Sequence, residues 1–173
     1  MTQPLLRKGI DGKTEKDKLQ LGSEYKICPL TLSEANTFVS MFHRHNKPLK
    51  VGPRFSIGLK KGEELVGVAI AGKPVARMLD NSTTIEILRV CVKEGNKNAN
   101  SVLYGRIKKI CQLMGFKSII TYTLNTESQS SLKAVGAVPV ALQNDLRGWD
   151  RPKRHRGPQA VYNIPKIRWE LAR

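Results

Sequence analysis

Thr84-Ile-Glu-Ile-Leu-Arg-Val-Cys-Val92, Lys93-Glu-Gly-Asn-Lys-Asn-Ala-Asn-Ser101 and Phe116-Lys-Ser-Ile-Ile-Thr-Tyr-Thr123 decide the fold. The first and third are β-branched and apolar, as buried strands are. Between them Leu103, Ile107, Ile110, Cys111 and Met114 recur at helical spacing, while Arg106, Lys108 and Lys109 mostly face away. Gly115 stands where a helix commonly ends. Strand, helix and strand in that order predict a βαβ unit with parallel strands. In Thr84–Val92 the alternation falls out of step: Ile85 and Ile87 share one parity, Leu88, Val90 and Val92 the other. Burial of both faces explains this, and so does a bulge near Leu88 or Arg89.

The polar loop enters the predicted helix at its positive end, where backbone N–H groups lack partners. Such a loop can hold a phosphate or pyrophosphate. Ser101 or Asn100 is expected to cap the helix, Gly95 to allow a tight backbone path, and Lys97 to add charge. The loop matches neither a P-loop nor a Rossmann fingerprint, and for the loop alone simple capping by Asn and Ser is the better reading.

Working outward, Tyr25–Leu30 reads as a first strand, and Thr31-Leu-Ser-Glu34 as a capping box before a helix carrying Ala35, Phe38, Val39 and Phe42. Arg54–Leu59 and Glu64–Ile70 flank a turn at Lys60–Glu63 and form an antiparallel hairpin. Val75–Leu79 is expected to be a short strand or loop, and Val138–Leu142 a last strand. The expected organisation is a flexible basic arm over 1–22, a single α/β domain over 23–143 with a mixed sheet flanked by helices, and a basic extension over 144–173 packed on or near it. A chain this size buries roughly 70% of its unfolded surface, enough for one real core.

No apolar run reaches the length of a membrane span, and the first residues lack the apolar stretch of a signal peptide, so a cytoplasmic placement is expected. Cys28, Cys91 and Cys111 are odd in number and set in apolar patterns, which reads as reduced core cysteine.

A formal net charge of +16 on 173 residues points to a polyanionic partner, with nucleic acid the leading candidate. Arg147, Arg151, Lys153, Arg154 and Arg156 crowd one Pro/Gly-broken segment and would contact phosphates, as would Arg44 and Lys47. Trp149 in the same segment can stack on a base, or pack on the domain.

Two of the three histidines, His43 and His45, fall in Phe42-His-Arg-His-Asn46. They can end a helix without further role, or one can act as general base. With a distant carboxylate they would make a two-histidine-one-carboxylate iron site, but no carboxylate has the diagnostic spacing. Glu86 and Arg89 are charged residues on an apolar strand, costly to bury unless bonded or functional. Tyr122 and Asn125 end the next strand, where open α/β sheets place ligands; Tyr122 can also be a core residue with a satisfied hydroxyl.

The hairpin, the strand Ile85–Val90, the amide-rich loop and helix from Ser101, and the strand Ile119–Thr123 resemble the acyltransferase superfamily called GNAT. More narrowly, Phe42-His-Arg-His-Asn-Lys-Pro48, Phe55-Ser-Ile-Gly58, Leu65-Val-Gly-Val68, Glu86-Ile-Leu-Arg89 and Asn98-Ala-Asn-Ser101 are similar to phage DNA-modification proteins of the Mom family and their relatives, over about residues 25 to 143. The resemblance implies a GNAT fold with splayed central strands and acetyl-CoA as donor. It places the pyrophosphate at Asn98, Asn100 and Ser101 and the pantetheine along Val90 and Val92, with Tyr104 and Asn125 beside the cofactor. It also implies DNA as acceptor, at adenine N6, and a phage-encoded protein. His43, His45, Glu86, Arg89 and Ser101 become the catalytic candidates. Two features depart from the superfamily: the loop lacks the [RQ]-x-x-G-x-[GA] pattern, and Ser128–Lys133 lacks the tyrosine that commonly protonates the leaving thiolate. The rivals are a GNAT acetyltransferase acting on a protein lysine or tRNA, and a non-catalytic nucleic-acid-binding protein.

Overall fold

The computed structural model describes residues 24–43, 47–49, 53–144 and 164–171. The arm over 1–22, Arg44, His45, and the segment with Arg147, Trp149, Arg151, Lys153, Arg154 and Arg156 lie outside the described residues.

The elements run β1 (Tyr25–Leu30), α1 (Leu32–Phe42), β2 (Pro53–Lys61), β3 (Glu64–Gly72), a 3₁₀ turn (Arg77–Leu79), β4 (Thr84–Val92), α2 (Ala99–Leu113), β5 (Ser118–Leu124), α3 (Ser130–Ala134), β6 (Ala137–Gln143) and β7 (Lys166–Leu171). The capping box predicted before α1 is formed: Thr31 Oγ1 accepts from the Glu34 N–H at 3.3 Å, and Glu34 Oε2 accepts from the Thr31 N–H at 2.8 Å. Gly62, at φ +60°, closes the β2–β3 turn in a conformation that side chains resist. Val75–Leu79 is neither of the expected forms outright, since its last three residues wind into the 3₁₀ turn.

The seven strands form one sheet in the order β1-β2-β3-β4-β5-β7-β6. β1 to β4 pair antiparallel; β4 and β5, joined through α2, are parallel. Ile70 pairs with Arg89 but Ala71 pairs with Ile87, so Leu88 is the extra residue of a bulge. The β4–β5 ladder holds from Thr84↔Ser118 to Ile87↔Thr121 and stops there, although β4 continues to Val92 and β5 to Leu124. The two strands splay from the bulge onward.

Each face has its own core. On one side Ala35, Phe38 and Val39 of α1 pack on Val68, Ile70 and Cys91. On the other, Leu103, Ile107 and Cys111 of α2 and Leu132 of α3 cover Ile85, Ile87, Ile119 and Trp169. Leu103 and Ile107 are fully buried and contribute about 1.5–3 kcal/mol each. α2 seats this closely because Gly67 has no side chain: a Cβ there would come within 2.9 Å of the Leu103 Cδ1.

The extension expected over 144–173 supplies β7, which inserts between β5 and β6. Ile167, Trp169 and Leu171 belong to the α2-side core, so this strand is an internal part of the sheet and not an appendage.

Candidate functional site

Where β4 and β5 part, a cleft of about 550 Å³ opens, with Val90 and Val92 on one wall and Thr123 on the other. Tyr104 of α2 and Ser131 of α3 reach it from the helical side, and Phe42 and His43 at the end of α1 form its lip. The bulge makes this possible, because a strand freed from its ladder keeps backbone N–H and C=O groups that a ligand can pair with. Burial pushes the Tyr104 phenol up to about 12, against the opposing pull of Thr121 beside it. Cys91 also lines the cleft, but burial raises its thiol to about 11, which suits a packing residue better than a nucleophile.

A second cavity of about 260 Å³, lined by Asn98, Asn100, Ser101 and Ser130, lies at the N-terminus of α2. The predicted cap is corrected here. The N-cap is Asn98, in the left-handed conformation at φ 62°, and its side chain makes no capping bond. Ser101 sits in the first turn and donates to the Asn98 carbonyl at 2.9 Å. The reason is steric: the loop needs one left-handed residue to turn into the helix, and asparagine is the side chain that takes that conformation most readily after glycine. Asn98 therefore does the backbone work a glycine would do. Among the described residues, the N–H groups of Asn98, Asn100 and Ser101 have no acceptor. Tyr25 of β1 steadies the loop from below, its hydroxyl donating to the Lys97 carbonyl at 3.0 Å. Unpaired N–H groups at a helix end beside a polar cavity fit the pyrophosphate of CoA, and the splayed strands fit its pantetheine arm.

On the α1 side of the sheet, where β4 and β5 are still paired, lies Glu86. Ile85 and Ile87 pack toward α2, so Glu86 points the other way, and it is 6% exposed. Its Oε2 accepts from the Val75 N–H at 2.8 Å. Burial raises its pKa to about 7, against the opposing pull of that bond and of Arg89. The bulge also turns Arg89 to this side, where its Nη1 donates to the Leu88 carbonyl at 2.6 Å and its Nε and Nη2 to the Lys47 carbonyl at 3.4 Å. Arg89 thus ties the segment after α1 to β4. Asn36 helps from the helix by bonding both the Leu49 N–H and carbonyl.

Val90, Val92, Asn100 and Tyr104 line the first cleft, and Asn98, Asn100 and Ser101 the second. His43 lines the first cleft and Glu86 does not, since Glu86 lies where β4 and β5 are still paired. Ser101 belongs to the helix end and is remote from Glu86 by the whole thickness of the sheet. Asn125 lines neither cavity; it is exposed and donates from its backbone to Pro165. Lys47 is exposed. Among the described residues no three His, Cys, Asp or Glu side chains gather as metal ligands, and the iron proposal needs His45, which lies outside them. No described helix is long and apolar enough to cross a membrane.

Sequence reading alone missed Arg168 and Lys166, which project from β7 beside Tyr122. The signal was present: Lys166-Ile-Arg-Trp-Glu-Leu171 alternates polar and apolar at every step.

No protein-family model matches the chain, and no curated protein matches it. Solved structures do. An acetyltransferase of Bacillus subtilis in complex with CoA superposes with a TM-score of 0.61 at 20% identity, covering 87% of this chain and 98% of that one. A GNAT family acetyltransferase from Elizabethkingia anophelis with acetyl-CoA bound gives 0.56 at 14% identity, covering 87% and 99%. The ribosomal-protein-S18-alanine N-acetyltransferase of Escherichia coli gives 0.59 at 10% identity, covering 86% and 95%. The chain has the GNAT fold.

Proposed function

We propose that the chain is an acyltransferase that uses acetyl-CoA to modify a base in DNA. The observation that carries the donor half is the β4–β5 splay running into the unpaired N-terminus of α2. The acceptor half is supported by the +16 charge and by the likeness to Mom-family sequences, which points to adenine N6.

Acetyl-CoA, when bound, supplies a thioester-activated group, so that an N–C bond forms as the C–S bond breaks and the sulfur leaves with a proton from solvent. The chain's own residues do the rest. Asn98, Asn100 and Ser101 hold the diphosphate through backbone N–H groups, and the free edge of β4 from Arg89 to Val92 aligns the arm. Glu86 takes the proton from the attacking amine: Oε2 is fixed by Val75, which leaves Oε1 for the proton, and a pKa near 7 matches a general base at neutral pH. His43 also lines the cleft, and Glu86 is preferred because its Oε2 is anchored and its pKa lies near 7. A base inside a duplex cannot reach Glu86, so the acceptor nucleotide must be extruded, at a few kcal/mol that a mismatch lowers.

The test is mass analysis of nucleosides from DNA incubated with the chain and acetyl-CoA, with thermal melting in parallel. Expected are a heavier nucleoside, a higher melting point with acetyl-CoA, and weakening of that shift by Ser101→Glu. DNA affinity should fall steeply with salt, by a log-log slope of about −0.9 per phosphate contact, and neutralising Arg151, Lys153, Arg154 and Arg156 should flatten it. No shift at millimolar acetyl-CoA would defeat the donor half. Acetylated lysine peptide with unmodified nucleosides would defeat the acceptor half and favour a protein amine.

A further inference from the structure

The face of the sheet around Glu86 carries more than a base. Trp169, Ile167 and Leu171 pack toward α2, so Arg168 and Lys166 project to the α1 side. The register sets Arg168 directly beside Tyr122, and Lys166 beside Gln143. α1 packs on β2, β3 and β4, and no described helix covers β5 and β7 on this side. Among the described residues, none of Arg89, Lys166 and Arg168 has a carboxylate within ion-pair distance. The Tyr122 hydroxyl is buried and unpartnered; Arg168 and Gln143 stand close enough to influence it without completing a hydrogen bond.

We infer that Arg89, Arg168, Lys166 and the Tyr122 hydroxyl form an anion subsite beside Glu86, and that it holds a phosphate of the acceptor. The inference rests on the acyl-transfer reading, since it places the acceptor next to Glu86. Three half-buried cations share this face with two carboxyls, buried Glu86 and half-buried Glu170, which accepts from the Ser118 hydroxyl at 3.0 Å, so positive charge is still in excess. Arg89 is near enough to work against the charge of Lys166, whose pKa is lowered by burial and then by Arg89. An anion between them would relieve that repulsion. The guanidinium of Arg89 uses three of its five N–H groups on backbone carbonyls and keeps two for a ligand. A phosphate takes three or more donors, which fits this set better than a carboxylate does. The acceptor amine would then be held at a fixed distance from an anchored phosphate, as in a single nucleotide.

Calorimetric titration of the full chain, with CoA present, can compare deoxyadenosine 5′-monophosphate with deoxyadenosine. The nucleotide should bind about tenfold tighter, as charge-assisted bonds to a phosphate predict. Arg168→Gln and Lys166→Gln should each remove most of that preference, Arg168→Lys should keep much of it, and Tyr122→Phe should reduce it a few-fold, all at unchanged melting points. Equal affinity for nucleotide and nucleoside would overturn the subsite. So would a preference that falls with Ser101→Glu but not with Arg168→Gln, because the phosphate would then lie at the helix end. An acidic amino acid that outcompetes the nucleotide would overturn phosphate in favour of carboxylate. Failure of the donor reading is separable: CoA would give no heat while the phosphate preference and its loss in Arg168→Gln remained.

Discussion

The two faces of β4, β5 and β7 are built from alternate residues of the same strands and do opposite things. Toward α2 point Ile85, Ile87, Ile119 and Trp169, all buried and closely packed. Toward the α1 side point Glu86, Tyr122 and Arg168, a carboxyl, a phenol and a guanidinium on a stretch of sheet that no described helix covers throughout. One residue of register separates core from chemistry. The bulge at Leu88 adds to the division, since it turns Arg89 to the polar face while Val90 and Val92 line the cleft. The stability of the domain and its reactivity are thus carried by the same backbone and can be altered separately.

The division is tested hardest on β7. Trp169 is 1% exposed, and its Nε1 donates to Thr123 Oγ1 at 2.9 Å. Trp169→Ala should cost about 3–5 kcal/mol by urea unfolding. Arg168→Ala next to it should cost under about 1 kcal/mol, because its head lies on the polar face. Equal losses would mean that the polar face is also structural.

Glu86→Gln sharpens the contrast. The amide can still accept from the Val75 N–H but cannot take a proton, so turnover should drop by about 10²–10⁴ with the fold intact. In the parent chain the rate should rise with pH through about 7 as Glu86 ionises, and the variant should lose that rise. A variant with the parental pH profile would clear Glu86 of the role.

The same group gives a stability prediction of opposite sign. A carboxyl whose folded pKa lies above its unfolded value binds more protons when folded, so stability falls as pH rises from about 4.5 to about 7. The shift corresponds to about 3 kcal/mol by the standard conversion. Chemical unfolding at pH 5 and pH 8 should show the parent losing about that much on this account, and Glu86→Gln losing less. A larger loss in the variant would contradict the burial of the charge.

Much of this was legible in the sequence. The capping box Thr31–Glu34, the hairpin, the βαβ unit and the bulge were all local patterns, and local patterns report on local backbone. Of the two explanations for the phase slip between Ile87 and Leu88, the structure shows the bulge, and the β4–β5 ladder stops at the same place. The site was less legible, for two physical reasons. Asn98 does the work of a glycine through a left-handed φ, which no pattern of small residues announces. Arg168 meets Tyr122 only by strand pairing across 46 positions of chain, and long-range pairing has no local signature beyond alternation. β7 had that alternation, but the basic stretch before it drew the reading toward an extension.

The smallest expected effect joins the two regions. Tyr25 is 6% exposed within the α2-side core, yet its hydroxyl leaves that core to bond the Lys97 carbonyl in the loop before α2. Tyr25→Phe keeps the ring and its packing, so the loss is one hydrogen bond, about 1 kcal/mol. Lys97 is exposed, and water can satisfy its carbonyl once the phenol is gone, which keeps the stability cost at the low end. The loop would lose its anchor just ahead of Asn98, whose left-handed conformation sets the direction of the unpaired N–H groups. The variant should therefore unfold close to the parental urea midpoint and bind CoA about fivefold more weakly by calorimetry. A lower midpoint with unchanged CoA affinity would assign the bond to the core, and the loop would then hold its shape without help from β1.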